Sequence, residues 1–501
     1  MFKSYLKVAL RRLSREKFYV SMNILSLALG IASFLVLALY LRSELTYDQH
    51  NVNYKSIYRV TAHFNQAGQE EKHFAISQMG IAPMLAQDYP QLGTYVRFVP
   101  PPVGEIRYGD TRKVWDNTFL ADPSVFKVFT HEIRYGDPAH AFDEPTSIAI
   151  DETMSKFYFG NENPIGKQLI TTSGPMKVTL VFADLPENSH LRYDALFPID
   201  QLKRFNPNFG QNYQQTLWNI GNFSYLMVTP QFRPEEFPSL SASFYQNHMK
   251  EQGEKMKSSF QAQLQPLAEQ HFGEKLDADR LEGNVFYLYG FGAVAIFILA
   301  IGCINYVNLA TARAAKQAKE VGMRKVLGAN QAQLVSQFLG ESLTFTAIAL
   351  VLALVLMELA LAFTPVGRLM GKEHLLSALR EPSVWLGVVA VTVVVAIASG
   401  LYPALYLSNI TPLAALTETR KSWKKGFSLR QILVFAQLAI SIGVVASTML
   451  MANQMRYIHN LPLGFDKENR LILNNLTGLD VLKNLKTIKT ELRRTPGVLD
   501  V

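Results

Sequence analysis

The segment Gly160–Gln168 is where the chain comes nearest to a nucleotide-binding loop. It reads G-N-E-N-P-I-G-K-Q, whereas a phosphate-binding loop needs four residues between its glycines and Ser or Thr after the Lys. Here five residues separate the glycines, and Gln168 follows the Lys. We therefore interpret the segment as a turn and expect no ATPase activity in this chain.

Catalytic and metal-binding patterns are also missing from the sequence. The ten histidines form no HExxH motif and no close pair, and His131-Glu132 lacks a second histidine. The single cysteine, Cys303, lies in an apolar run. We assign no catalytic, cofactor-binding or metal-binding residue, and we predict that the chain by itself is not an enzyme.

Five long apolar runs dominate the chain, and a helix needs about 20 such residues to cross a bilayer. The first run continues into Arg42-Ser43-Glu44 without a cleavage site and is too long for a signal peptide. The sequence therefore predicts five transmembrane helices. We place them over residues 18–41, 284–310, 342–365, 384–407 and 431–455.

The Lys and Arg residues that flank the runs set the orientation. They are concentrated in residues 1–17, 311–341 and 408–430, so we predict that these segments are cytoplasmic. Residues 42–283 and 456–501 then lie outside an inner or plasma membrane. The formal net charge of +8 is explained by these flanks, so the expected partner is the lipid bilayer and not nucleic acid.

The region 42–283, which we call the outer domain, mixes two periodicities. Alternation over 56–62, 95–99 and 178–182 predicts strands. Stretches 76–89, 153–159 and 238–271 predict helices, the last one long and leading back to the second membrane helix. The fold class is then a membrane α-helical bundle of five helices plus a large α/β extracytoplasmic domain between the first two.

The fifth apolar run is similar to the first. Both follow basic residues and lead through a polar exit to strand-like segments, Ile57–Val60 and Arg470–Leu473. This suggests an internal duplication, with residues 456–501 as the start of a second, truncated outer domain. The alternative is that any helix entering from the cytoplasm has such flanks.

Four stretches carry a family pattern. They are Tyr5–Leu13 with Asn23–Ile31, Phe119–Phe126 with Phe159–Lys167, Asp184–His190, and Glu320–Ala329. Together they resemble the FtsX-like permeases of ABC transporters, in the macrolide-exporter (MacB) type with its periplasmic core domain. The pattern of both halves is most similar to the long, duplicated permeases of Bacteroidota.

The resemblance implies a permease of the bacterial inner membrane that pairs with a separate cytoplasmic ABC ATPase. The ATPase would hold ATP and magnesium, and this chain would bind no cofactor. In the mechanotransmission model of the family, dimerisation of the ATPase moves the helices and reshapes the outer domain. The resemblance implies that this work would be drug efflux or the export of lipoproteins or peptides. A second permease copy or a periplasmic adaptor would be further partners.

The cytoplasmic stretch 311–341 is the expected coupling segment. Its charges fall at helical spacings, and a basic amphipathic segment can dock on a partner or lie on anionic headgroups. With the resemblance, we predict docking on the ATPase. The residues we assign to it are Glu320, Gly322, Arg324, Lys325, Gly328 and Ala329. The motif Thr411–Leu416 in the next cytoplasmic segment resembles a second family motif.

Three residues inside the apolar runs call for an interpretation. Gly400 and Pro403 predict a kink in the fourth helix, which serves either as a hinge or for packing. Glu358 is the one charge inside a run, and an ionisable residue in the membrane suggests function. Because it lies near the outer end of the third helix, a structural role is favoured.

Two other function classes remain open at this stage. A transmembrane signal transducer that regulates an extracytoplasmic enzyme would use the same helices, although the chain has only short loops to carry an output. An ion-coupled carrier is disfavoured because the helices show no paired polar residues at the midplane.

Overall fold

The computed structural model describes residues 17–66, 68, 70–100, 105–204, 206–280, 283–312, 314–366, 381–411, 429–462, 470–471 and 484–501. Almost all of the predicted N-terminal segment and of the Thr411–Leu416 motif, and half of the predicted strand at 470–473, lie outside these residues. Contacts divide the chain into two compact units. One holds residues 1–45 and 285–467, and the other holds residues 46–284 and 468–501.

Helices occur in both units. In chain order they are α1 (Lys17–Leu45), α2 (Ile81–Asp88), α3 (Val125–Val128), α4 (Glu152–Phe159), α5 (Phe237–His248), α6 (Lys250–Met256), α7 (Val285–Ala312), α8 (Ala314–Val326), α9 (Gln331–Phe363), α10 (Pro382–Ser408), α11 (Leu429–His459) and α12 (Leu485–Arg494). Within the described residues, five of them are long and apolar enough to cross a membrane: α1, α7, α9, α10 and α11. This confirms the predicted membrane bundle.

The described strands belong to the outer domain. They are β1 (Ile57–Gln66), β2 (Lys72–Phe74), β3 (Ser77–Gln78), β4 (Thr94–Val99), β5 (Glu105–Tyr108), β6 (Thr111–Val114), β7 (Thr118–Ala121), β8 (Ile133–Gly136), β9 (Ser147–Asp151), β10 (Gln168–Thr171), β11 (Gly174–Phe182), β12 (Ala195–Pro198), β13 (Ile220–Met227) and β14 (Ser258–Pro266). Together with the helices between them, they confirm the predicted α/β domain.

The strands form one mixed sheet. Its order is β14-β1-β13-β4-β7-β12-β9-β11-β10-β5-β6, with β2 beside β1, β3 beside β13 and β8 beside β11. The pairs β7–β12 and β9–β11 are parallel, and the remaining pairs are antiparallel. At the middle of the sheet the ring of Phe98 lies 5.6–5.9 Å from four other aromatic rings, those of Phe119, Phe129, Tyr193 and Tyr225.

The strands expected at 56–62, 95–99 and 178–182 are present as β1, β4 and β11. The long helix expected over 238–271 is wrong in its second half. Lys257 adopts a left-handed conformation with φ of 51°, which ends α6, and β14 follows at once. Phe260, Ala262 and Leu264 alternate with polar residues there, and this period of two suits a strand that pairs with β1 along its whole length.

A buried ion pair joins β4 to the segment after β7. Arg97 is only 2% exposed, and its guanidinium donates to both carboxylate oxygens of Asp122 at 2.7 and 2.9 Å. The same carboxylate accepts the backbone N–H of Arg97 at 2.8 Å. The other side of the guanidinium donates to the Met79 carbonyl at 3.0 Å. A buried charge is tolerated only with such complete pairing.

The helical unit packs around α1. Its buried face contacts α7 and α9, and the shared core contains Leu27, Ile31 and Leu35 of α1 with Phe345 and Ala349 of α9. In contrast, α11 contacts α7, but no residue in its most apolar stretch is buried. Lipid or another protein surface must cover its apolar side chains, because water cannot do so without a large cost.

Gly400 is the point of close approach between α9 and α10. A methyl group built on it would lie 2.6 Å from the Ser342 Cβ and 2.8 Å from its Oγ. The Ser342 hydroxyl donates across the contact to the Ala396 carbonyl at 2.8 Å. Small residues let membrane helices approach closely and form such hydrogen bonds. Gly400 therefore packs helices together, whether or not it also serves as a hinge.

We predict that Arg97→Met destabilises the outer domain by about 3–5 kcal/mol, because it leaves the Asp122 carboxylate buried without a counter-charge. Urea unfolding of residues 46–284, followed by the fluorescence of Trp115 and Trp218, measures this. The control is Arg134→Met, which removes an exposed arginine paired with Glu132 and Glu152 and should leave the midpoint unchanged. Equal midpoints for the two variants would contradict the prediction.

We further predict that Gly400→Ala destabilises the helical unit by about 1–3 kcal/mol through overpacking against Ser342. Gly387 in the same helix has nothing within 4 Å of an added methyl group, so Gly387→Ala should be neutral or slightly stabilising. The measurement is thermal unfolding of the detergent-solubilised chain. A loss of stability in both variants, or in neither, would rule out the packing role.

Candidate functional site

The turn between α8 and α9 has a defined hydrogen-bond pattern. Gly328 has a φ of 97°, a left-handed conformation that glycine adopts without strain. Its N–H donates to the Lys325 carbonyl, and the N–H of Ala329 donates to the Arg324 carbonyl, both at 3.0 Å. These two bonds form a Schellman motif, which satisfies carbonyls that the end of α8 would otherwise leave open.

The next helix starts immediately after this turn. The side chain of Asn330 accepts the backbone N–H of Gln333 at 2.8 Å, and the side chain of Gln333 accepts the N–H of Asn330 at 3.1 Å. This capping box satisfies the first donors of α9. The predicted residues Gly328 and Ala329 therefore set the angle between α8 and α9, two helices that only four residues separate.

Arg324 connects the two helices through its side chain. One of its nitrogens donates to Gln337 of α9 at 2.6 Å, and the other donates to Glu320, one turn earlier in α8, at 2.5 Å. The pair Glu320–Arg324 has the i, i+4 spacing of a stabilising helix pair. The structure thus brings together two predicted residues and adds Gln337, which the sequence did not single out.

Lys325 reaches a third helix. Its ammonium group donates to the carbonyls of Ser408 at 2.5 Å and Ile410 at 3.0 Å, at the C-terminal end of α10. A cation at this position offsets the partial negative charge of the helix end and satisfies open carbonyls. Gln331 adds a second link, because its amide donates to Asn409 at 2.8 Å.

The inner side of this three-helix junction is apolar. Val321 of α8, Leu334 and Phe338 of α9, and Ala404 and Leu407 of α10 form one buried cluster, and Ala329 packs against it. The predicted residue Gly322 is buried next to Val321. The junction is therefore a small core of its own, held by the polar bonds of Arg324 and Lys325.

The outer side of the junction exposes apolar side chains that sequence reasoning missed. Met323, Val326 and Leu327 are between 55% and 85% exposed. Their spacing of three and four residues puts them on one side of the chain, and that spacing was the signal available in the sequence. Together with the exposed Lys319, they form a surface that we call the α8 patch.

The remaining predicted site residues lie elsewhere. Gly400 and Pro403 are buried in α10, with Pro403 inside the helix. Glu358 is exposed near the C-terminal end of α9 and is not part of the junction. In the outer domain, the segment Gly160–Gln168 forms the turn between α4 and β10, where Lys167 pairs with Glu162.

Some polar residues that are far apart in the sequence are paired in the structure, whereas the expectation of no paired polar residues at the bilayer midplane stays a prediction. The histidines do form a close pair, because the rings of His63 and His73 lie with centroids 3.7 Å apart. The apolar helices also carry paired polar residues. Asn305 of α7 donates to Ser26 of α1 at 2.6 Å, and Asn308 of the same helix donates to Gln437 at 3.4 Å. Sequence distance hid these pairs, since their members lie on different elements.

Two family models match the chain. The model of the MacB-like periplasmic core domain matches residues 20–237. The model of the FtsX-like permease C-terminal region matches residues 292–412, which include the α8–α9 turn and the end of α10 that it contacts. Among curated proteins, none matches the chain significantly.

Several solved structures are similar to part of the chain. A permease domain from Porphyromonas gingivalis is 22% identical, with a TM-score of 0.39, over 48% of this chain and 98% of that one. The periplasmic region of MacB from Actinobacillus actinomycetemcomitans is 15% identical, with a TM-score of 0.28, over 40% and 87% of the two chains. The extracellular domain of the noncanonic ABC-type transporter YknZ from Gram-positive bacteria is 14% identical, with a TM-score of 0.28, over 41% and 99%.

The first family model covers most of α1 and most of the outer domain, and the second covers the later helices up to the end of α10. The four sequence stretches that carry the family pattern point the same way. This chain therefore combines a MacB-like periplasmic core domain with an FtsX-like permease C-terminal region, and the two matches support an ABC-transporter-type permease of the MacB/FtsX kind.

Proposed function

We propose that this chain couples ATP hydrolysis by a separate cytoplasmic ABC ATPase to conformational work on the extracytoplasmic side of a bacterial inner membrane. The observation that carries the proposal is the α8 patch, an exposed apolar surface on a tightly capped three-helix junction. The work is efflux or the export of lipoproteins or peptides. Catalysis belongs to the ATPase, which holds ATP and magnesium.

The α8 patch has the chemistry of a docking surface. Exposed apolar residues that are contiguous and rimmed by charges mark places where proteins meet other proteins or membranes. Leu327 is 85% exposed although it lies beside a buried core, so its side chain buries little apolar surface within the junction. Lys and Arg around the junction agree with a cytoplasmic position, where an ATPase is present.

The junction behind the patch is suited to transmit force. Arg324 links α8 to α9, and Lys325 links α8 to the end of α10. A displacement of α8 by a bound ATPase would therefore move both long helices rather than bend a free loop. This assigns Arg324, Lys325, Gly328 and Ala329 to transmission, and assigns direct contact with the ATPase to Met323, Val326 and Leu327.

We predict that Leu327→Asp with Met323→Asp abolishes co-purification of the ATPase with the detergent-solubilised chain, because two charges replace the apolar contact. Ala332→Asp is the control, since it adds a carboxylate at an exposed position in the first turn of α9, where a negative charge is tolerated. Mass spectrometry identifies the co-purified proteins.

Two results would count against the proposal. Retention of the ATPase by the double variant would remove the α8 patch from the interface. Co-purification of a kinase or a cell-wall hydrolase in place of an ATPase would favour signal transduction over transport.

We predict that Lys325→Met weakens the junction without removing the docking surface. Hydrogen bonds to a charged group contribute about 1.5–3 kcal/mol, so amide hydrogen exchange near the end of α10 should accelerate by about tenfold or more. The ATPase should still co-purify. Lys325→Arg, which keeps a cationic donor, should show less acceleration. Unchanged exchange in Lys325→Met would contradict the assigned role.

A further inference from the structure

A cluster of metal-ligating side chains lies in the outer domain, at a distance along the chain from the coupling segment. Among the described residues, His63, Glu71 and His73 form the one group of this kind in which the ligand atoms all lie within 4.8 Å of one another. His63 is on β1 and His73 is directly opposite it on β2 in the antiparallel register. The hairpin thus brings together two residues that are ten positions apart.

The side chains of the cluster face the same space. The His63 and His73 ring centroids are 3.7 Å apart. The Nε2 atom of His73 is 3.9 Å from a carboxylate oxygen of Glu71, and its Nδ1 atom is 3.8 Å from a carboxylate oxygen of Glu274. Each nitrogen of the His73 ring therefore has its own carboxylate, one on each side.

His63 is the buried member of the cluster. Its side chain is only 7% exposed. Burial lowers the pKa of His63, and the neighbouring His73 lowers it further, whereas Glu71 and Glu274 act in the opposite direction. Metal ions bind the neutral imidazole of a histidine, through the lone pair of its unprotonated nitrogen.

We propose that His63, His73 and Glu71 bind a divalent transition-metal ion, with zinc as the expected ion, and that Glu274 orients His73. Two imidazoles and one carboxylate are a known zinc ligand set, which leaves a fourth position for water. This donor set favours zinc, nickel or copper over magnesium or calcium, which prefer oxygen ligands alone.

The cluster needs little movement to close around an ion. In a tetrahedral site with bonds of about 2.0–2.1 Å, ligand atoms lie about 3.4 Å apart. The present separations exceed this by at most about 1.4 Å, taking 3.4 Å from the upper limit of 4.8 Å. Glu71 is more than half exposed, so its side chain can supply most of the movement.

Glu274 fits the role of a residue that fixes ring orientation. Metal-bound histidines commonly donate their other N–H to a carboxylate. The segment that carries Glu274 is already attached to β2, because the N–H of Asp277 donates to the His73 carbonyl at 2.7 Å and the N–H of Ala75 donates to the Asp277 carbonyl at 3.0 Å. A bound ion would hold β1, β2 and this segment together.

The test is zinc binding by the full chain, purified in detergent through a tag without histidine and stripped with a chelator. Zinc chloride is titrated in competition with a chromogenic chelator, and cobalt(II) absorption reports tetrahedral coordination. We expect one zinc per chain. His73→Gln and Glu71→Gln should each weaken binding by more than tenfold, and Glu274→Gln by about tenfold, as for other second-sphere carboxylates.

The matched control is His140→Gln. His140 also pairs with a carboxylate, that of Asp143 at 2.9 Å, but it is exposed and, among the described residues, it is not part of a cluster of three metal-ligating side chains. Its zinc affinity should equal that of the parent. Absence of zinc binding by the parent chain overturns the proposal. It is also overturned if His73→Gln and Glu71→Gln bind zinc with the same affinity as the parent. The readout is metal binding, so it does not depend on the ATPase.

Discussion

The ammonium group of Lys325 closes the end of α10, and the arrangement of the α8–α10 junction depends on this contact. The last carbonyls of a helix have no partner within it and need water, a cap or a cation. Here the cation comes from a different helix. The Schellman turn at Gly328 sets the direction of α9 relative to α8, and Lys325 then sets the position of α10. The apolar cluster around Leu334 and Leu407 fills the space between them.

The outer domain holds its segments together without a disulfide, since the one cysteine of the chain lies in α7. Its sheet buries two arginines, Arg59 and Arg97, each paired with a carboxylate through two hydrogen bonds. Such pairs contribute modestly to net stability. Other arrangements of the strands are nevertheless disfavoured, because they would leave one charge of a pair buried without its partner. The two pairs therefore fix which segments meet, while the aromatic rings around Phe98 supply the apolar contacts.

Much of this architecture follows from the sequence alone. The apolar runs and the alternating segments are read directly, since each needs only a local period. The β14 strand was missed because only Lys257 separates it from a helix, so the alternation of Phe260, Ala262 and Leu264 with glutamines is obscured by the helical period before it. The roles of Arg324 and Lys325 could not be separated, because a charge pattern does not reveal whether a cation faces solvent or a neighbouring helix. The His63–His73 pair needed the strand register.

The first and last strands of the outer domain are neighbours, and this pairing has a mechanical consequence. In the antiparallel register Tyr58 lies opposite Pro266, so the start of β1 and the end of β14 are at the same end of the pair. A load that pulls these two ends apart would peel the strands one hydrogen bond at a time, rather than shear all of them at once. Arg59 lies at that end and donates to Gln265 of β14 and to Asp279. The hydrogen bonds of its guanidinium would therefore have to break before the strands could separate from this end.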